Sequence, residues 1–429
     1  MGAGAVDTIV ALSSGRPPAA VAIVRTSGPA AFAAAERLVG SLPEPRQASL
    51  RALKDPGDGS IIDQALVLRF DAPATATGEN IVEYQCHGGR ASVDALLAVL
   101  CREPGIRLAE PGEFTRRALA NGRIDLTEAE GLADLLSAET ELQRRSAMAR
   151  AGGALRNRLD GWRERLLDLS ARAEVAIDYA DEEDGSGRDD ALPLDVSTLA
   201  DDVRLLLAAP RVEPLRDGVR VVVAGPPNSG KSSLVNALVQ AERAIVTPIA
   251  GTTRDVIEVP LAIGGAPFVL VDTAGLRESS DQAESIGIER ADRESRSADI
   301  LLWLGVPSEC PMADAIFVQS KADLATTVHS SGTVLVSAVT GQGLDALIKV
   351  VLARAGALLP KGDELAIDRR QHELLAGALA ALDRGTAASD AVLVAEELRI
   401  ARGAIDRISG RAGVEELLDA LFARFCLGK

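Results

Sequence analysis

The segment Gly225-Pro-Pro-Asn228-Ser229-Gly230-Lys231-Ser232 matches the GxxxxGK[ST] phosphate-binding pattern. It stands between a β-branched run, Val219–Val223, apolar but for Arg220, and a helix-like stretch beginning at Ser233. In that setting the backbone N–H groups of the loop and of the helix N-terminus face phosphate oxygens, Lys231 reaches the β- and γ-phosphates, and the Ser232 hydroxyl ligates Mg2+. Lysine is scarce in this chain. Of 46 basic residues only those at 54, 231, 321, 349, 361 and 429 are Lys. A chain that uses Arg almost everywhere keeps Lys where chemistry requires it, which singles out Lys231, Lys321 and Lys429.

Three further segments follow apolar runs of the same kind. Asp272-Thr273-Ala274-Gly275 comes after Phe268–Val271 and resembles the DxxG element of GTPases, in which the Asp holds Mg2+ through water and a glycine N–H senses the γ-phosphate. Ser320-Lys321-Ala322-Asp323 comes after Ile316–Val318 and resembles the NKxD motif. Its Asp accepts both guanine N–H groups; adenine offers no such donor pair, so the expected base is guanine. Ser320 replaces the motif's Asn and weakens one side-chain tie. Ser337-Ala338 resembles the last GTPase motif, whose backbone contacts the guanine carbonyl. The residue after Gly275 is Leu276, where Ras-like proteins carry the glutamine that orients water. Leucine cannot do that, so another polar residue must, and positive charge must come from elsewhere. An arginine finger is worth about 10³ to 10⁵ in rate.

These segments need a parallel sheet to hold them. Predominantly apolar runs at Val219–Val223, Phe268–Val271, Ile300–Leu304, Ile316–Val318 and Thr333–Val336 alternate with helical stretches at Ser233–Val239, Ile286–Glu294 and Leu344–Ala357. That alternation predicts a doubly wound α/β domain over 218–361. Around it the chain is helical. Thr127 with Glu130 reads as a capping box, and Leu155, Leu159, Trp162, Leu166, Leu169, Ala173 and Ala176 form one stripe of a helix pair. A second stripe runs through Val414, Leu417, Leu418, Leu421, Phe422 and Phe425. Residues 1–120 mix short β-like runs with Ala-rich helical stretches, an α+β domain. The expected architecture is therefore multidomain: 1–120, a helical domain split into 121–217 and 362–429, and an inserted α/β domain at 218–361.

At 429 residues the chain is too long for one core, and 25% charged with 47% hydrophobic residues is a globular balance. The net charge of −16 argues against a general phosphate-backbone binder, so nucleic-acid contact must be local or helped by a partner. No apolar run approaches the roughly 18 residues of a membrane span. No basic segment precedes an apolar region at the N-terminus, and the four cysteines show no CxxC or zinc spacing; a reduced, cytoplasmic setting is expected.

Several blocks together resemble one family, the tRNA modification GTPases MnmE, also called TrmE. They are Asp7-Thr-Ile-Val-Ala11, Ala22-Ile-Val-Arg25-Thr-Ser-Gly28, Gly78-Glu-Asn-Ile-Val-Glu83-Tyr-Gln-Cys-His87-Gly-Gly89 and Glu110-Pro-Gly-Glu-Phe-Thr115. Asn121-Gly-Arg123-Ile-Asp-Leu126, Gly251-Thr-Thr-Arg-Asp255 and Phe425-Cys426-Leu-Gly-Lys429 complete the match. The resemblance implies a dimer with an N-terminal folate-binding and dimerisation domain, a split helical domain and an inserted Ras-like G domain. It implies a potassium-activated GTPase in which Asn228, Thr247, Ile249 and Thr252 bind K+, and Ser232 and Thr253 hold Mg2+. GTP contacts then fall on Asn228 to Ser233, Thr247, Thr252, Thr253, Asp272 to Gly275, Ser320, Lys321, Asp323, Ser337 and Ala338. The role of the missing glutamine maps onto Glu284.

By the same resemblance Arg25, Glu83, Arg123 and Lys429 bind a tetrahydrofolate derivative, either 5-formyl- or 5,10-methylene-tetrahydrofolate, and Cys426 is a candidate functional thiol. A carboxylate such as Glu83 suits the amide and amino edge of a pterin, and Arg or Lys suits folate carboxylates. The family modifies carbon 5 of the wobble uridine of certain tRNAs in a heterotetramer with a flavin-dependent partner, MnmG or GidA. A ribosome-assembly GTPase of the Era or Der type shares the G-domain motifs, but no basic GxxG-containing RNA-binding segment is found. A GTP-gated scaffold without a modifying activity is the third reading, and folate binding separates the first from both.

Overall fold

The computed structural model describes residues 7–178, 189–241, 243–244, 257–272, 293–324, 332–361, 364–412, 415–423, 425 and 428. The chain divides into two compact units, Met1–Ala133 with Ser409–Lys429, and Asp134–Ile408.

In the first unit β1 (Thr8–Leu12), β2 (Ala19–Ser27), β3 (Ser49–Lys54), β4 (Ile61–Phe70), β5 (Ile81–Gly88) and β6 (Ile106–Leu108) form one sheet, in the order β3-β4-β5-β2-β1-β6. All neighbours are antiparallel except β1 and β6. Alternation along the strands sends Val10, Val24, Val67, Val82 and Tyr84 to one face, against Ala34 and Leu38 of α1 (Ala31–Val39) and Leu96 and Leu100 of α2 (Arg90–Cys101). On the opposite face Ile9 and Ala11 pack with Ala109 and with Phe114 of α3 (Glu113–Ala120). Leu126, Ala129 and Ala133 of α4 (Leu126–Ser137) meet Leu421 and Phe422 of the C-terminal helix α13 (Glu415–Phe422), together with Phe425.

The start of α4 differs from expectation. Asp125 caps it, its Oδ1 accepting from the Glu128 N–H at 2.9 Å and from the Thr127 hydroxyl at 2.8 Å, while the Glu128 carboxylate accepts the Asp125 N–H at 2.8 Å. The capping box is Asp125 with Glu128, and Thr127 already lies inside the helix. Burial decides between the two overlapping patterns, because Leu126 is fully buried and must be helical to join the C-terminal cluster.

The second unit contains α5 (Glu141–Ala151), α6 (Ala154–Asp178) and α7 (Leu192–Leu207), and beyond the sheet α11 (Arg369–Ala387) and α12 (Ala391–Ile408). Leu155, Leu159, Trp162, Leu166, Leu169 and Ala173 are buried as their 3–4 spacing predicts, but against α7, α11 and α12 in a four-helix layer rather than within a helix pair.

The short helix α8 (Glu213–Asp217) leads into β7 (Val219–Ala224) of a seven-stranded sheet with β8 (Arg243–Ala244), β9 (Ile257–Ile263), β10 (Ala266–Asp272), β11 (Ile300–Trp303), β12 (Ile316–Gln319) and β13 (Val334–Leu335). The order is β13-β12-β11-β7-β10-β9-β8, parallel from β13 to β10, with β9 antiparallel to both β10 and β8. Helices α9 (Lys231–Ala241) and α10 (Leu344–Ala355) supply Leu234, Leu238, Leu347 and Val351 to its core. The crossover from β11 to β12 carries only a 3₁₀ turn, Pro307–Glu309, where such connections commonly hold a helix; Trp303, Cys310 and Met312 pack there against Val222 and Leu301.

Candidate functional site

The phosphate loop leaves the carboxyl end of β7, the edge at which open parallel sheets bind ligands. Its path needs unusual backbone. Gly225 has φ +147°, and a Cβ there would lie 3.0 Å from the Leu304 carbonyl. Gly230 has φ +95°, and a Cβ there would meet Ser320 Oγ at 3.1 Å. Asn228 is left-handed at φ 58° without being glycine. The loop then enters α9 with Lys231 buried in its first turn and Ser232 and Ser233 exposed. Lys231 Nζ donates to the Gly225 and Pro226 carbonyls at 3.1 and 2.8 Å, which folds the ammonium across the loop. Ser229 Oγ is buried and makes no hydrogen bond to another protein group, which leaves it available to a ligand oxygen.

Asp272 ends β10, buried, directly paired with Val223 of β7. The Ser232 hydroxyl and the Asp272 carboxylate are hard oxygen donors, the set that suits Mg2+.

The base-recognition segment is bonded to the phosphate loop. Ser320 Oγ donates to the Ser229 carbonyl, and Lys321, left-handed at φ 57°, donates from Nζ to the Asn228 carbonyl at 3.2 Å. The Ala322 N–H donates to the Val336 carbonyl at 3.1 Å, and the Ser337 hydroxyl donates to Asp323 Oδ1 at 2.6 Å. Asp323 therefore has one oxygen fixed by a buried serine, with Ala338 half-buried beside it. Sequence reasoning gave Ser337 a backbone role only; its hydroxyl is the missed feature, and a serine following the last strand was the available signal. Thr247, Ile249, Thr252, Thr253, Thr273, Ala274, Gly275 and Glu284 lie outside the described residues, as do Cys426 and Lys429.

In the first unit Arg25 and Glu83 are directly opposed on β2 and β5. Arg25 Nε and Nη2 both approach Glu83 Oε1, at 2.8 and 2.7 Å, and the guanidinium stands 5.7 Å from the Phe114 ring centre. Arg123 is not bonded to either: its Nε donates to the Thr75 carbonyl at 3.1 Å. Gly428, next to Lys429, is so close to β1 that a Cβ would lie 2.2 Å from the Leu12 carbonyl oxygen.

The glutamates of the Gly-Glu-Asn and Gly-Glu-Phe blocks serve another purpose. Arg117 binds Asp7, Glu79 and Glu113, and Arg107 binds Asp7 and Glu113. Burial pushes the Glu113 carboxyl up, but Arg107, the Glu110 N–H and Arg117 outweigh it and hold it below the ordinary range; Asp7 is depressed in the same way by Arg107 and Arg117. This network stitches β1, β6, α3 and the loop before β5 together and went unseen in the sequence, although the Glu113–Arg117 spacing of four was a signal for part of it.

A strand, phosphate loop and helix, with an aspartate ending the neighbouring parallel strand and a Lys/Asp segment bonded back to the loop, define a phosphate-loop nucleotide hydrolase. Comparison with known proteins narrows the class. The family model for the MnmE helical domain matches residues 126–426, and that for the GTP-binding protein TrmE N-terminus matches 8–123. The tRNA modification GTPase MnmE of Erythrobacter litoralis is 55% identical over 425 residues, covering 99% of this chain and 100% of that protein. Those of Rhizorhabdus wittichii and Novosphingobium aromaticivorans are 53% and 49% identical, covering 100% and 99% of this chain and 98% and 100% of those proteins. Among solved structures, the G domain of the T. maritima FeoB iron transporter covers 32% of this chain and 98% of that chain at 26% identity and a TM-score of 0.25, which leaves the assignment to the family models and relatives. The chain belongs to the MnmE (TrmE) family of tRNA modification GTPases, GTP hydrolases that act in tRNA modification.

Proposed function

We propose that this chain is a potassium-activated, magnesium-dependent GTPase. In this reading it works as a cytoplasmic homodimer with a flavin-dependent MnmG (GidA) partner to modify carbon 5 of the wobble uridine in tRNA with a tetrahydrofolate one-carbon unit. The observation that carries the nucleotide part is the Asp323 carboxylate, held by Ser337 on a segment bonded through Ser320 and Lys321 to the phosphate loop. A fixed carboxylate accepts the paired N–H groups of guanine. Lys231 and the loop N–H groups neutralise the β- and γ-phosphates, and Thr273, Ala274 and Gly275 follow Asp272 at the γ-phosphate. Ser232, Thr253 and Asp272 hold Mg2+, which screens charge on the phosphate oxygens when bound. Asn228, Thr247, Ile249 and Thr252 supply the oxygens for K+, and Ser233 and Ala338 complete the nucleotide shell.

Glu284 orients the attacking water through a second water. The water oxygen bonds to the γ-phosphorus, the bond to the β,γ-bridging oxygen breaks, and the water proton ends on the released phosphate. Arg25, Glu83, Arg123 and Lys429 form the site for 5-formyl- or 5,10-methylene-tetrahydrofolate, with Cys426 as a thiol close to it in sequence. The domain plan is 1–120, the split helical domain 121–217 with 362–429, and the inserted G domain 218–361.

Dimerisation through the first domain is supported by the outer face of its sheet. There the cross-strand neighbours Leu50 and Leu66 are 62% and 42% exposed, apolar surface that a second copy would cover. The test has two arms. GTP turnover in KCl should greatly exceed turnover in NaCl, and tRNA from cells lacking the protein should lose its 5-substituted wobble uridines. Equal turnover in the two salts refutes the potassium assignment, and intact wobble uridines refute the modification reading.

A further inference from the structure

Two buried serine hydroxyls in the described residues lack a hydrogen-bond partner, Ser229 Oγ and Ser13 Oγ. Such a hydroxyl makes no hydrogen bond to the rest of the fold and so is free to make one to a ligand. The phosphate loop accounts for Ser229. Ser13 lies in the other unit, at the end of β1, and no part of the nucleotide site explains it.

We infer that the Ser13 hydroxyl is a ligand-contacting group beside Arg25 and Glu83, taking the polar edge of a reduced folate; this rests on the folate reading above. The pairing Ala11 with Arg25 and Leu12 with Val24 continues one step further, because the Ser13 N–H donates to the Ile23 carbonyl at 2.7 Å. Strand alternation then puts Ser13 on the face of Ile9 and Ala11, which is the face of Arg25 and of its partner Glu83 on β5. The neighbouring serine shows the contrast. Ser14 Oγ accepts the Ile23 N–H at 3.0 Å and is committed to the backbone, whereas Ser13 Oγ is committed to nothing. The chain terminus is laid against the same spot, since a Cβ on Gly428 would fall 2.8 Å from Ser13 Cα.

The chemistry is complementary. Arg25 can only donate hydrogen bonds and Glu83, when ionised, can only accept them, and they are bonded to each other. A hydroxyl does both, so Ser13 can meet a pterin carbonyl, amino group or ring N–H without a change of protonation. It thereby selects for a heterocycle that carries donor and acceptor side by side.

The test titrates 5-formyltetrahydrofolate into full-length wild type and Ser13→Ala by calorimetry and records thermal unfolding of both without ligand. The variant should bind about tenfold more weakly, the value of one hydrogen bond lost to a ligand. Its ligand-free melting temperature should equal or exceed that of wild type, because the hydroxyl makes no hydrogen bond to the rest of the fold. A merely structural hydroxyl predicts the opposite sign, so a lower ligand-free melting temperature overturns the inference. Equal affinity of the two proteins overturns it as well and leaves the folate reading standing. A wild type that does not bind 5-formyltetrahydrofolate overturns the folate reading, and the Ser13 assignment with it.

Discussion

Ser320 departs from the expected motif, and the structure states what the departure does. Its hydroxyl donates to the Ser229 carbonyl, and Gly230 leaves the room for it, since a Cβ at 230 would stand 3.1 Å from Ser320 Oγ and 3.3 Å from Ser320 Cβ. Ser320→Ala deletes this bond without adding bulk. A net hydrogen bond contributes about 0.5–1.5 kcal/mol, and leaving a part-buried acceptor unsatisfied moves the loss toward about 2 kcal/mol. The parallel tie from Lys321 Nζ to the Asn228 carbonyl is exposed and holds the segment only weakly. Binding of GDP and GTP should therefore weaken together, by about five- to thirtyfold, because the tie joins the base segment to the loop and does not touch the γ-phosphate. Turnover at saturating GTP should be unchanged, as the bond is made equally in ground and transition states. Titration with fluorescent GDP and a non-hydrolysable GTP analogue, alongside kcat, checks this. Affinities within twofold of wild type, or a loss confined to the triphosphate, refute the reasoning.

Glu284→Ala should lower kcat at least tenfold with nucleotide affinity nearly unchanged, since positioning of water acts in the transition state; single-turnover hydrolysis beside equilibrium binding separates the two. Arg150→Ala should destabilise the second unit by about 3 kcal/mol in chemical denaturation, because Arg150 is 1% exposed and its Nη1 donates to Asp134 at 2.5 Å, so the substitution removes a buried guanidinium together with its ion pair. The Glu113 carboxyl is held below its ordinary value of 4.5 in the folded chain, so the unfolded chain binds the proton more tightly. Its contribution is complete above pH 4.5 and is lost as pH falls through the depressed folded value; Glu113→Gln should flatten this acid limb when denaturation midpoints are followed by circular dichroism.

The sequence made the phosphate loop legible because three independent constraints coincide there: a run that only a doubly buried strand explains, a fixed Gly-Lys spacing, and a helix start. The apolar stripe of α6 was legible for the same reason, with its residues stepping by three and four over six turns. β9 was not recognised, and Pro260 is the reason: a proline inside a run demotes it as a strand. The structure tolerates it because Pro260 faces Val269 of β10 while the pairing with β8 covers only Leu261 and Ala262. The capping box of α4 was misplaced because two matching patterns overlap within a few residues, and only the burial of Leu126 against a helix almost 300 positions away chooses between them.

The candidate sites show a sharper division. Motif spacing finds residues whose partner is a ligand, because the ligand imposes the spacing; it does not find residues whose partner is distant chain. Ser320 and Ser337 were noticed for their place in motifs, yet what they do in the described fold is join segments: one carbonyl 91 residues away, one carboxylate 14 residues away. Glu79 and Glu113 belong to the blocks that carry the family resemblance as firmly as Glu83 does, yet Glu79 is paired with Arg117 and Glu113 with both Arg107 and Arg117, arginines that also hold Asp7. Glu83 differs in that, among the described residues, its counter-charge Arg25 pairs with no other carboxylate, so under the proposed function the two can turn toward a ligand together. A motif glutamate is thus to be read by its counter-charge: where the arginine also serves other carboxylates the glutamate holds the fold, and where the arginine serves it alone the pair is available for binding.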